Sequence, residues 1–166
     1  MKLNIPRNTL LKSLQSVMGA IKGSSTLEIL TNVMLIAKDD KLSLTATDLD
    51  IRIQTVIETK IETNGANTVP AKKMLDIVKL LTDHEVLLEC EETRLSIKCG
   101  TADFMLHGLE AIDYPVATKN EIVSQFDIEQ HVLYSMLNSV TCAVDKEASR
   151  KALTGVYSQF ISKCRT

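Results

Sequence analysis

The sequence predicts an α+β fold in which a βαβββ unit occurs twice, its two helices packed on an antiparallel sheet, and then begins a third time. The first observation is a recurring phrase. "NIPRNTLLKSLQSV" and "TVPAKKMLDIVKLL" both read apolar–Pro–x–x–x–apolar–Leu–x–x–apolar, with Ile5, Pro6, Leu10, Leu11 and Leu14 answered by Val69, Pro70, Met74, Leu75 and Val78. "DIEQHVLYSMLNSV" places Ile128, Leu133, Tyr134 and Leu137 at the same offsets, with Glu129 where proline stood. The second observation is a change of period at each phrase, from alternation to threes and fours. The third is that three strand-like segments follow each of the first two helices. The repeat is too long for a short solenoid unit.

In order, Met1 to Pro6 alternates, Leu3 and Ile5 against Lys2 and Asn4, and reads as a short strand. Pro6 opens a helix, its fixed φ being preorganised for the first turn. Leu10, Leu11, Leu14, Val17, Met18 and Ile21 carry an apolar stripe to about residue 21, and Gly23 ends it. Strands follow in "NVMLIAKD", "KLSLTATDLD" and "IRIQTVIET", with a tight turn at Asp39–Asp40. "TNGAN", 63–67, reads as a loop, and Thr68–Val69 as a short strand. Pro70 opens the helix Ala71 to Leu81, and "EVLLECE", "RLSIKCG" and "ADFMLHGL" are the next strands. "AIDYPVATKN" reads as a linker. The third start is the strand "QFDI", a helix from Glu129 to about Val144, and a strand in "KALTGVYSQFIS".

The chain has 166 residues, enough to bury a core without staples, and that core must be aliphatic because Trp is absent and Phe and Tyr number three each. The net charge of −2 gives no whole-chain signal for nucleic acid. The distribution does. Met1 to Ser24 carries Lys2, Arg7, Lys12 and Lys22 without an acid; the second helix has Lys72, Lys73 and Lys79 against Asp76. "DHEVLLECEE" carries Asp83, Glu85, Glu89, Glu91 and Glu92 without a base. Helices on one face would make that face positive and suited to a polyanion. The competing reading is that these lysines only solvate helix surfaces.

Cys90, Cys99, Cys142 and Cys164 are scattered, with no His at ligand spacing, and read as reduced thiols rather than a disulfide framework or zinc site. The N-terminus has no long apolar run, which predicts an intracellular, cytoplasmic protein with no membrane partner. No phosphate-binding glycine loop or nucleophile elbow is present, and His84, His107 and His131 lie on separate elements. Asp48 and Asp50 would share a strand face and are the one candidate acid pair, for a metal-dependent hydrolase; two acids at a strand end are more often turn residues. No aromatic platform is present for single-strand binding. The expectation is no catalytic residue, no cofactor and no metal.

The repeats, basic helices and acidic strands resemble the bacterial DNA polymerase III β-subunit (sliding clamp) family. "MKLNIPRNTLLKSLQSV" is similar to its opening, "STLEILTNVMLIA", "LSLTATDLDI" and "TVPAKKMLDIVKLL" to three further phrases, and "YPVATKN" to the linker between its first and second domains. "KALTGVYSQF" resembles the strand after the second domain's first helix, and "KCRT" the start of the next. The resemblance implies a DNA-clamp fold: helices line a hole around duplex DNA, sheets form the rim, and polymerase is tethered by topology. It implies a non-catalytic processivity factor whose partners are double-stranded DNA, DNA polymerase III and the clamp loader.

Residue by residue, the resemblance puts DNA contacts at the end of the first helix, where Ser24 stands in place of the usual Arg and Lys22 substitutes. It puts others at Lys72, with Lys73 beside it, and around Lys146, Glu147, Lys151 and Ala152, where the family's aromatic or amide groups are missing. Lys12 joins them on the basic first helix. Phe104 and Leu106 match the apolar contacts of an edge strand at the subunit interface. Leu153 matches one wall of a partner-peptide pocket, the rest of which lies beyond residue 166. The implied domains are 1–119, complete, and 120–166, the incomplete start of a second. As written, the chain does not close the family's ring, through either a shortened gene or a cut piece. Exposed strand edges should then favour self-association. Two rivals stand beside this reading: a free interaction module or decoy, and the Asp48/Asp50 hydrolase.

Overall fold

The computed structural model describes residues 1–21, 27–82, 85–115, 127–145 and 151–159. The chain divides into two compact units, Met1–Thr118 and Lys119–Thr166. The first contains β1 (Lys2–Pro6), α1 (Arg7–Val17), β2 (Asn32–Lys38), β3 (Lys41–Thr47), β4 (Arg52–Glu58), β5 (Ile61–Thr63), β6 (Gly65–Pro70), α2 (Ala71–Leu80), β7 (Glu85–Glu91), β8 (Arg94–Cys99) and β9 (Ala102–His107). Pro6 and Pro70 each end a strand and stand at the helix N-cap with φ of −60° and −55°. The recurring phrase is therefore a strand-to-helix corner used twice.

The expected sheet is divided in two, with orders β5-β1-β7-β8-β9 and β4-β3-β2-β6. The repeats exchange their opening strands. β1 lies among the strands of the second repeat, antiparallel to β7, with Leu3 opposite Leu88 and Ile5 opposite Val86. β6 in turn pairs with β2, Val33 opposite Val69. The corners match: Pro6 faces Glu85 and Pro70 faces Asn32. Neither repeat completes its own sheet. A single core joins Leu3, Ile5, Leu35, Leu44, Leu88 and Ile97 to the buried stripes of α1 (Leu10, Leu14, Val17) and α2 (Met74, Leu75, Val78).

The β2–β3 turn forms at Asp39 and Asp40, both with φ near +53°, the left-handed pair that a two-residue hairpin turn requires. Asp40 also holds the next connection. Its carbonyl accepts from the Thr59 N–H (3.0 Å) and its carboxylate from the Ile61 N–H (3.2 Å).

Three expectations are corrected. "TNGAN" is not a loop: Thr63 ends β5, and Gly65 to Asn67 open β6, which starts earlier than Thr68. Asn67 is buried yet satisfied, donating to Cys90 Sγ (2.9 Å) and accepting the Thr68 N–H (2.7 Å). Gly65 gives Met1 room; a Cβ there would come within 2.9 Å of the Met1 Cβ. Tertiary contacts thus override a turn-like composition. The third correction is the strand expected over "KALTGVYSQFIS". Lys151–Thr154 is a 3-10 helix and residues 155–159 are not strand; residues 160–162 lie outside the described residues.

Near the end of the first unit the two sheets are joined by a bridge between Thr68 and Leu109. Their backbones exchange hydrogen bonds of 3.3 and 3.2 Å, and Thr68 Oγ1 donates to the Leu109 carbonyl (2.8 Å). Gly108 sits against the Thr68 carbonyl so closely that a Cβ would overlap it.

Tyr114 is buried, and its hydroxyl lies 3.2 Å from the Asn32 carbonyl and 3.3 Å from that of Thr45. Burial, which disfavours the phenolate, raises its pKa above 10. The folded state then holds its proton past the pH at which the unfolded chain loses it. This contribution is whole below about pH 10 and is lost as pH rises through the raised value. Tyr114→Phe should cost about 1 kcal/mol at neutral pH. In urea titrations the gap to the parent should narrow above pH 10; a constant gap would contradict the assignment.

The second unit contains α3 (Gln130–Val140), continued by a 3-10 turn at Thr141–Ala143, then the 3-10 helix Lys151–Thr154. The expected helix from Glu129 starts one residue later. Asp127 and Ile128 are not strand; Gln125 and Phe126 lie outside the described residues. None of the described side chains of this unit is buried.

Candidate functional site

The basic surface of the first unit is built on α1 and α2, which pack together. Their apolar stripes face the core, so the opposite faces are left to polar residues. Lys12 lies outside the stripe Leu10, Leu14, Val17 and is exposed. Lys72 and Lys73 follow Ala71 in the first turn of α2 and are exposed, while Met74 and Leu75 turn inward. None of these three lysines has an acidic partner among the described residues; α1 contains no acid. Lys79 differs, paired with Asp76 one turn back at 3.6 Å.

Arg7 does something the sequence did not suggest. Its Nε donates to the Val78 carbonyl (3.0 Å) and Nη2 to the Lys79 carbonyl (2.8 Å). It thereby satisfies carbonyls that the end of α2 leaves without partners, and puts positive charge where the helix dipole is negative. Arg7 is a clasp between the two helices. A base in the first turn of a helix, where the dipole disfavours it, was the available signal.

The strands behind the helices are less uniformly acidic than their composition suggests. On β7, Val86, Leu88 and Cys90 turn to the core and Glu85, Glu89 and Glu91 lie on the other face. Lys2 bridges Glu62 (3.3 Å) and Glu89 (4.0 Å), and Lys98 approaches Glu89 (3.8 Å). Partial neutralisation on the sheet leaves the helix lysines as the clearer uncompensated charge.

Lys22, Ser24, Lys146 and Glu147 lie outside the described residues. Lys151 opens the 3-10 helix of the second unit, in which Ala152 and Leu153 are exposed. Phe104 and Leu106 lie on β9, the last strand of the five-stranded sheet. Leu106 is buried in its own core and Phe104 packs partly against it; Met105 is the apolar side chain that stands outward. Strand alternation could have singled out Met105.

Asp48 and Asp50 form a turn. The Asp48 carboxylate accepts from the N–H groups of Asp50 (3.0 Å) and Ile51 (2.7 Å). Thr47 Oγ1 donates to the Ile51 carbonyl (2.8 Å) and accepts the Leu49 N–H (3.1 Å), holding Leu49 at φ 78°. A carboxylate occupied in this way shapes the chain tip. Among the described residues no cluster of three His, Cys, Asp or Glu could hold a metal. Cys90 is buried and its thiol pKa is raised, chiefly by burial, which suits a structural residue. No described helix is long and apolar enough to cross a membrane.

Comparison with known proteins gives a consistent result. Residues 1–118 match the family model described as "DNA polymerase III beta subunit, N-terminal domain". The chain is 35% identical over 159 residues to the beta sliding clamp of Pseudomonas aeruginosa, covering 94% of this chain and 43% of that protein. It is 32% identical over 166 residues to that of Caulobacter vibrioides, covering 98% and 45%. Among solved structures, the Caulobacter crescentus pol III beta superposes with a TM-score of 0.92 at 34% identity, over 98% of this chain and 44% of that one. The chain spans under half the length of these relatives.

Proposed function

This chain belongs to the DNA polymerase III β-subunit family, and on that premise we propose that it contributes the DNA-facing helices of a sliding clamp. In this reading it is a non-catalytic processivity factor that holds duplex DNA without reading its sequence and tethers the replicative polymerase. The observation that carries the proposal is the set Lys12, Lys72 and Lys73, exposed on the outer faces of α1 and α2 and without acidic partners among the described residues. A sliding device needs contacts to phosphate that break and reform easily, and point charges on flexible stems supply them. The role needs no cofactor or metal, and its place is the cytoplasm. DNA polymerase III and the clamp loader are the proposed protein partners. Lys22, Ser24, Lys146, Glu147, Lys151 and Ala152 stay within the proposed DNA surface on the family resemblance. Phe104 and Leu106 stay as proposed interface residues, and Leu153 as a proposed pocket wall.

We propose the domain division at residue 119, with 120–166 opening a second domain. The extent of the family match supports this division. The test of function is anisotropy of labelled duplexes of two unrelated sequences over a salt series. Affinity should be equal for both and fall with a log–log slope of about −2 to −3, one unit for each lysine–phosphate contact. Lys72→Glu with Lys73→Glu should remove most of that slope. Equal retention at low and high salt would sink the proposal.

A further inference from the structure

On the DNA reading above, we propose that Arg7 is a positioning residue for the basic surface: it fixes the register of α1 against α2 and so holds Lys12 level with Lys73. α1 begins beside the end of α2, since Pro6 lies opposite Glu85, just past that end. The helices also pack side by side, so they run antiparallel. Arg7 reaches across the pair, with Nε on the Val78 carbonyl (3.0 Å) and Nη2 on the Lys79 carbonyl (2.8 Å). Lys12 lies five residues forward of Arg7, and Lys73 five residues back from Val78. At a helical rise of 1.5 Å per residue, each is about 7.5 Å from the clasp. In an antiparallel pair both steps run the same way, and the two exposed lysines come level.

Apolar packing alone does not select this register. Burial is non-directional, and the ridges of one helix meet more than one groove of the next. A planar fork set on two successive carbonyls fits one offset. A slip of one turn would carry Lys12 about 5.4 Å past Lys73. The charge of Arg7 is also turned inward. Nη1 donates to Asn8 Oδ1 (3.0 Å), so all three guanidinium nitrogens donate within the protein. In the first turn of α1 that charge is disfavoured by its own helix, and it is offset only at the negative end of α2. Such a placement serves the pair of helices rather than a phosphate. Each helix is still held by its proline corner, so losing the clasp should loosen the register and leave the fold intact.

The register is read in the full chain by pulsed dipolar distances between spin labels on Lys12→Cys and Lys73→Cys. Cys142→Ser and Cys164→Ser remove the other labelling sites, because Cys90 and Cys99 are buried. Arg7→Lys keeps the charge and loses the fork. It should shift or broaden the distance distribution by about 1.5–5.4 Å, from one residue to one turn, with circular dichroism unchanged. An unchanged distribution overturns the proposal. Salt-series anisotropy of the unlabelled protein on a duplex reads the consequence. Arg7→Lys should lower the slope by about one unit, and Lys12→Gln should then add little, although it matters in the parent. A slope that Arg7→Lys leaves at the parent's value also overturns the proposal, whether Arg7 only stabilises the fold or any cation serves at that position. If the parent binds no duplex, the DNA reading fails and the label distances alone decide the register.

Discussion

Gly108→Ala will destabilise the first unit by about 3 kcal/mol, at the upper end of what one added methyl costs in a packed site. The methyl would overlap the Thr68 carbonyl and lie about 3.2 Å from Asn67 Oδ1. Those atoms cannot yield separately. The Thr68 carbonyl accepts the Leu109 N–H, the Thr68 N–H binds Leu109, and Asn67 is held by Cys90. Gly108 is itself fixed through its N–H to the Thr93 carbonyl at 2.8 Å. The end of β9 must move off β6, which opens the only bridge outside the named strands among the described residues. In thermal unfolding the midpoint should fall by roughly 10 °C. A loss under about 0.5 kcal/mol, the range of ordinary surface changes, would show that the junction can relax.

Ile5→Ala will cost about 3 kcal/mol, although it lies near a chain terminus, where fraying is the common expectation. Ile5 is fully buried, and β1 is flanked on both sides, by β5 and β7. Removing three methyl or methylene carbons leaves a cavity lined by parts of both repeats. Val56→Ala, on the half-exposed face of β4, is the control and should change stability by less than about 0.5 kcal/mol. Denaturant titrations of both variants measure the difference. Amide exchange should rank β1 with the slowest strands; fast exchange there would count against the prediction.

Much of this architecture was legible because it repeats. Pro6 and Pro70 marked the two corners, and the stripes beginning at Leu10 and Met74 marked which helix faces go inward. Asp39–Asp40 gave the hairpin. Strand exchange was not legible. A period of two says that Leu3 and Ile5 share a face, but it carries no label for which strand lies alongside, and β1 finds β7 rather than β2. Gly65 and Asn67 misled for a related reason. Their turn-like character is real locally, and it is overridden by the approach of Met1 and by a thiol partner over twenty residues away. At the candidate site, Lys72 and Lys73 were legible as bases on the second helix; that Asp76 pairs with Lys79 and leaves those two without an acid among the described residues was not. Arg7 was counted with them because composition registers charge and not the carbonyls that claim it. Phe104 and Leu106 came from the family resemblance as interface contacts, and a resemblance does not say which way the pleat faces: Leu106 turns into its own core and Met105 stands outward.

The exchanged strands also set a timetable for synthesis. Val86, the partner of Ile5, leaves the ribosome about eighty residues after it. At elongation rates of about 5–20 residues per second that is a wait of ~4–16 s. Throughout it β1 is a finished strand without its main neighbour. α1 can form but has no completed sheet behind it. The waiting strand is short, and Lys2 and Asn4 alternate with its two large apolar residues, a pattern that limits adhesion to other nascent chains. The first half of the unit must therefore be tolerated as an incomplete body until the second half arrives to close both at once.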